Sequence, residues 1–366
     1  MRPSLDRIGV EPSLPSWPLS RISRRMTLPA APHPLILALI AAVLSAGTVR
    51  LVEGWLRARA MLDHPNARSS HSVPTPRGGG LGVLAVALPL LAWDAATRPL
   101  ADGGGTPWAL VVGTVTLAVV SWWDDLRGLS ARTRLAAHLL ACFGALVVLP
   151  LPGPVFQGWL PPALDLVVAA VAWAWFVNLF NFMDGIDGIS GVEVIGLGAA
   201  LALLHAVAGV PVPVGAAWVL VGAMAGFLVW NWHPARIFLG DVGSVPLGYL
   251  LGGLLIILAS LGHWAPALIA PAYYLADATL TLGLRALRGR PLVQAHREHA
   301  YQRAVQAGLS HARVSGAIAA LNTALAGLAL WAAMDAPWGP LALAAALTGG
   351  LLWVFHRRAQ WLAPEG

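Results

Sequence analysis

Apolar residues along this chain come in long blocks, not in the two-residue alternation of a strand or the one-sided stripe of a surface helix. About eleven runs of roughly 17 to 22 apolar residues follow one another, each long enough to cross a ~30 Å hydrocarbon core as a helix. They centre near Ile40, Ala87, Thr114, Cys142, Ala172, Ala200, Val221, Leu254, Ala272, Ala320 and Ala345. Short segments rich in arginine, aspartate, glycine and proline separate them. The pattern predicts an all-α polytopic integral membrane protein with about eleven transmembrane helices.

Composition agrees: 57% hydrophobic and 11% charged residues, with a mean hydropathy of +0.69, lie outside the range of soluble domains. Residues 1–33 differ, being rich in Pro, Ser and Arg without an apolar core. They read as a disordered extension and not as a signal peptide. Met26 is an alternative start, because the shortened leader would carry no arginine. Residues 34–358 form one transmembrane domain and 359–366 a cytoplasmic tail.

The chain contains no lysine, so arginine alone reports orientation. One alternating set of loops carries Arg57, Arg59, Arg68 and Arg77, then Arg127, Arg132 and Arg134, then Arg236, then Arg285 to Arg313, with Arg357 and Arg358 in the tail. The opposite set carries Arg98. This predicts cytoplasmic placement for the first set and the C-terminus and, with eleven spans, an outward N-terminus. The arginines of the extension oppose that orientation, which is the reason to favour Met26. The net charge of +6 is explained by topology and anionic headgroups, not by nucleic acid. Cys142 is the one cysteine and excludes an internal disulfide.

Chemistry collects in five loops on the arginine-rich side. The first ends in Arg77-Gly-Gly-Gly80, where glycines either bring backbone N–H groups close to an anion or simply turn the chain into a helix. The second holds Asp124-Asp125, adjacent carboxylates that suit a divalent cation shared with phosphates or stand as a solvated helix end. The third places Asn178, Asn181, Asp184 and Asp187 three residues apart, on one side of a helix that Gly185 and Gly188 break. The fourth, Phe238-Leu-Gly-Asp-Val-Gly-Ser244, puts Asp241 where a span begins. The fifth carries Arg297, His299 and further arginines, matching a phosphorylated substrate or an exposed basic loop. Carboxylates at membrane depth also occur in proton-coupled transporters, the competing class, but those sit near the midplane.

In this order, Arg77-Gly-Gly-Gly80, Asp124-Asp125, Asn-x-x-Asn-x-x-Asp-Gly-Ile-Asp-Gly from Asn178, Phe-Leu-Gly-Asp241-Val-Gly-Ser and His-Arg-x-His299-x-Tyr-Gln resemble the bacterial polyprenyl-phosphate sugar-1-phosphate transferases, glycosyltransferase family 4. The likeness is to the O-antigen and exopolysaccharide-initiating branch. A muramoyl-pentapeptide transferase carries a triple histidine where this chain has His299-Ala-Tyr-Gln.

The resemblance implies transfer of a sugar-1-phosphate, of the N-acetylhexosamine class, from a UDP-sugar to undecaprenyl phosphate with release of UMP. It implies Mg²⁺, with Mn²⁺ as a substitute, in a cytoplasmic cleft of the bacterial inner membrane. Asp124, Asp125, Asp241 and His299 would be catalytic, with Asp124 and Asp241 on the metal. Arg77, Asn178, Asn181, Asp184, Asp187 and Arg297 would bind substrate. Small residues throughout the spans also allow a homodimer.

Overall fold

The computed structural model describes residues 33–65, 73–98, 105–291 and 296–361. The expected extension, its alternative start at Met26, Arg68 and the last residues of the tail lie outside the described residues. The long helices are α1 (Pro34–Ala58), α2 (Gly80–Thr97), α3 (Trp108–Arg127), α4 (Ala131–Val148), α5 (Pro162–Met183), α6 (Ile189–Ala208), α7 (Val214–Asn231) and α8 (Asp241–Ser260). The short α9 (Trp264–Ile269), α10 (Ala272–Leu287) and α11 (Ala300–Gln306) lead to α12 (His311–Met334) and α13 (Trp338–Trp361). The only strands among the described residues, β1 (Leu62–Asp63) and β2 (Thr75–Pro76), pair antiparallel, with Leu62 opposite Pro76.

Among the described residues, ten helices are long and apolar enough to cross a membrane. The expected eleventh, centred on Ala272, is present as two pieces, α9 and α10. Pro271 separates them: it has no N–H to give the preceding turn and occupies the N-cap of α10. Neither piece alone is a long span.

Central burial and peripheral exposure order the bundle. α8 packs against α2, α3, α5 and α9, and all of its apolar window is buried inside protein. By contrast α1, α3 and α4 expose Leu39 and Val43, Val112 and Val119, and Leu140 and Val147. Such outward apolar faces suit a lipid surrounding. Close approach substitutes for the hydrophobic effect between membrane helices. On α7, a methyl group at Gly222 or Gly226 would lie 2.0 Å from the Ala38 carbonyl oxygen or 2.3 Å from that of Ala42, so α1 and α7 touch backbone to backbone.

Candidate active site

α8 begins with Asp241, after Gly240 turns the chain at φ +76°. A carboxylate is favoured there because the first helical N–H groups carry partial positive charge. The glycine run lies alongside. Gly78 and Gly79 donate their N–H groups to the Phe238 carbonyl at 3.1 and 2.8 Å, and Gly80 donates to that of Leu239 at 2.9 Å. These donors are spent on backbone, so of the two readings of the glycines it is the turn into a helix that the structure bears out. Their effect is to hold Arg77 beside α8, with Nη2 2.5 Å from Asp241 Oδ1. Burial works against the Arg77 charge, but Asp241, Asp125 and Asp63 outweigh it and hold the guanidinium ionised.

The end of α3 supplies the rest of the acidic centre. Asp124 Oδ1 accepts the Leu129 N–H at 2.5 Å, and its Oδ2 lies 3.2 Å from Arg134 Nη1. Arg134 also reaches Asp241 Oδ2 at 3.8 Å. Asp125 accepts the backbone N–H of Val242, which puts it against the first turn of α8. The adjacent Asp124 and Asp125 and the distant Asp241 therefore meet around Arg77 and Arg134. An oxygen-only donor set of this kind suits a hard divalent cation of the Mg²⁺ or Mn²⁺ type.

The asparagine and aspartate series forms the adjoining wall. Asn178 and Asn181 sit on α5, which ends at Met183 as the glycines predict. Asn181 Oδ1 accepts the Ser244 hydroxyl at 2.6 Å, tying α5 to the start of α8. Asp184 accepts the Ser190 hydroxyl at 2.7 Å. Burial pushes the Asp184 carboxyl up to about 6, against the Ser190 hydrogen bond and the Arg77 charge.

Asp187 points elsewhere. Its Oδ2 takes His233 Nδ1 at 2.6 Å, His311 Nδ1 at 3.1 Å and the Ala235 N–H at 3.1 Å. Burial would raise this carboxyl, but the hydrogen bonds from His311 and His233 prevail and hold it below the ordinary range. The three side chains could also ligate a metal, with their donor atoms within 4.8 Å of one another. Nitrogen-rich ligation of that kind suits Zn²⁺ better than Mg²⁺. At 2.6 Å the His233 contact has hydrogen-bond length, so the trio acts as a clip joining the loop after α5, the loop after α7 and the start of α12.

The fifth loop is anchored by a residue that the sequence alone did not single out. Asp277, in α10, accepts the N–H groups of Ala300 and Tyr301 at 2.8 and 3.3 Å and the Tyr273 hydroxyl at 3.0 Å. His299, only 2% exposed, turns Nδ1 toward Asp277 Oδ1 at 3.5 Å. Arg297 is half-buried and its carbonyl accepts Gln306 Nε2. Tyr301 reaches back to the Phe182 carbonyl at 3.2 Å, packing the loop on the Asp184 turn. The signal for Asp277 was a carboxylate inside an apolar run.

Below the acidic centre runs a cavity of about 410 Å³, lined by α3, α4, α5, α8 and α10. Asp124, Asp241, Arg134, Asn178 and Asn181 form its polar end; Val120, Leu135, Leu139, Val171 and Val245 line its apolar length.

The signature of glycosyl transferase family 4 matches residues 107–259, which include Asp124, Asp125, the Asn178–Asp187 series and Asp241. The decaprenyl-phosphate N-acetylglucosaminephosphotransferase of Mycolicibacterium smegmatis is 31% identical over 302 residues, covering 71% of this chain and 73% of that protein. The chain belongs to glycosyl transferase family 4. Its Mycobacterium tuberculosis counterpart, of the same description, is 30% identical over 74% of each chain. A phospho-N-acetylmuramoyl-pentapeptide-transferase of Thermosynechococcus vestitus is 33% identical over a shorter stretch, 55% of this family 4 chain and 56% of its own length.

Proposed function

We propose that this family 4 protein transfers an N-acetylhexosamine-1-phosphate from a UDP-sugar to a polyprenyl phosphate such as undecaprenyl phosphate, releasing UMP and starting a lipid-linked surface glycan. The observation that carries this reading is the junction of the Asp124, Asp125 and Asp241 centre with an apolar cavity. A soluble, multiply charged donor and a membrane-dissolved phosphate can meet only where such a centre opens onto hydrocarbon. The cavity volume falls within the ~300–1,000 Å³ typical of ligand sites.

In the proposed reaction an oxygen of the lipid phosphate bonds to the β-phosphorus of the UDP-sugar. The bond from that phosphorus to the bridging oxygen breaks, and the electron pair leaves with UMP. The acceptor is already an oxyanion near neutral pH, so direct attack needs no covalent aspartyl intermediate. Arg77 and Arg134, both within reach of Asp241, would meet phosphate oxygens as charge accumulates on them. Asp124 and Asp241 would hold Mg²⁺, which supplies neutralisation of the diphosphate. Asp125 would organise the lipid phosphate. Asn181 and Asp184 would face the nucleotide-sugar, and Arg297 and His299 would close over it from the fifth loop.

Orientation follows from arginine: the centre would open to the cytoplasm of the bacterial inner membrane. The His299-Ala-Tyr-Gln run favours the O-antigen and exopolysaccharide-initiating branch. Purified protein incubated with undecaprenyl phosphate, Mg²⁺ and, in turn, UDP-GlcNAc, UDP-GalNAc and a 6-deoxy-N-acetylhexosamine donor should release UMP with at least one. Lipid-dependent UMP release from none of them overturns the reading.

A further inference from the structure

His138 lies on α4, one turn beyond Arg134 and on the same face of the helix. It lines the cavity below Asp124 and Asp241 and is 4% exposed. Asn178 hydrogen-bonds its imidazole, yet Nδ1 has no hydrogen-bond partner among the described residues. The Asn178 bond therefore falls on Nε2. A buried ring nitrogen left without a partner costs free energy, and one that faces a cavity can be completed by a molecule bound there. Arg134 is already engaged by Asp124 and Asp241. Among the described residues of the cavity wall, the imidazole is the one other side chain that can present a cationic N–H.

Its position matches the boundary in an amphiphile. Above it stand the charged groups that suit a phosphate, and beside and below it Leu135, Leu139 and Val171 suit a hydrocarbon tail. We propose that His138 is an acceptor-binding residue, donating Nδ1–H to a phosphate oxygen of the prenyl monophosphate and so fixing how deep the lipid sits in the cavity. Asn178 fixes the ring: its amide N–H goes to the Ala174 carbonyl at 2.7 Å, which leaves Oδ1 to accept Nε2–H, so that the ring, protonated beside the phosphate, offers Nδ1–H to it. The inference rests on the reading of the cavity as the acceptor site and deepens it by naming the residue that reads the head group.

The test measures KM for undecaprenyl phosphate and for the UDP-sugar in the purified full-length protein. His138→Phe keeps a flat ring without the N–H, whereas His138→Gln restores a donor. The lipid KM should rise about tenfold in the Phe variant and return to within about threefold of wild type in the Gln variant, with the UDP-sugar KM unmoved. A wild-type lipid KM in the Phe variant, or an equal rise in both KM values, overturns the assignment. A second measurement needs no variant: a prenyl phosphate with a photoreactive group beside its phosphate should label the peptide 131–148 of the wild-type protein. Labelling confined to other segments overturns the inference. Active wild-type protein with an unmoved Phe variant discards His138 alone, whereas wild-type protein that neither consumes nor is labelled by the lipid discards the acceptor reading beneath it.

Discussion

Gly80 and Gly243 meet backbone to backbone: a methyl group on Gly80 would lie 2.2 Å from the Gly243 Cα. The start of α2 is thereby pressed against the start of α8, which fixes Asp241 next to Arg77. Gly80→Ala should lower stability by about 1–3 kcal/mol, the usual cost of overpacking. Turnover should fall by about 10²-fold, because a displacement near 1 Å at a reacting centre is enough for that. Gly47→Ala, inside α1 with open space around it, should not lower the melting temperature and should leave UMP release unchanged.

Asp124 and Asp241 share Arg134, so each can lose its charge while the other keeps the guanidinium in place. Asp124→Asn and Asp241→Asn should each reduce UMP release by at least about 10²–10³-fold with little change in melting temperature. The Mg²⁺ concentration needed for residual activity should rise in both. Near-wild-type turnover in either purified variant would remove it from the metal assignment.

Asp184 offers a pH signature. Its carboxyl, raised by burial to about 6 from an ordinary value of 3.8, keeps a proton in the folded protein that the unfolded chain has lost. Stability should therefore fall as pH rises from near 4 through about 6, and Asp184→Asn should remove that slope. If Asp184 faces the donor sugar as proposed, its ionised form above pH 6 would accept hydrogen bonds from it, so kcat/KM should rise through an inflection near 6 that the Asn variant lacks. A pH–rate profile of both proteins tests this.

The Asp277 carboxylate holds the fifth loop by bonds to Ala300, Tyr301 and Tyr273. Asp277→Ala leaves buried N–H groups and His299 without it, and should cost about 3–5 kcal/mol. Asp277→Asn should cost less, since one amide oxygen can still accept. Thermal unfolding in detergent measures the first effect, and faster proteolysis after Arg290 or Arg303 should accompany it.

Much of the scaffold was readable because hydrocarbon imposes a length: ten apolar runs became ten long helices with few surprises. The break at Pro271 was not read from length, since the run around Ala272 is apolar on both sides of the proline. In the site, Asp124, Asp125 and Asp241 were visible as charges that hydrocarbon would not tolerate without purpose. That they converge depends on α3 lying against α8, a tertiary fact with no local signature. The same is true of the glycine run, whose N–H groups find Phe238 and Leu239 and not an anion. Asp187 illustrates a further limit: His233 from the loop after α7 and His311 from the start of α12 occupy its Oδ2, and sequence spacing could not reveal them.

The sheathing of α8 has a mechanical consequence. Because protein buries that helix while α1, α3 and α4 turn apolar faces outward, a change in bilayer thickness or tension would act first on the outer ring. The carboxylate at the head of α8 rides on an axle held by neighbouring helices and open to lipid at the cavity that Val245 lines, so protein packing sets its height.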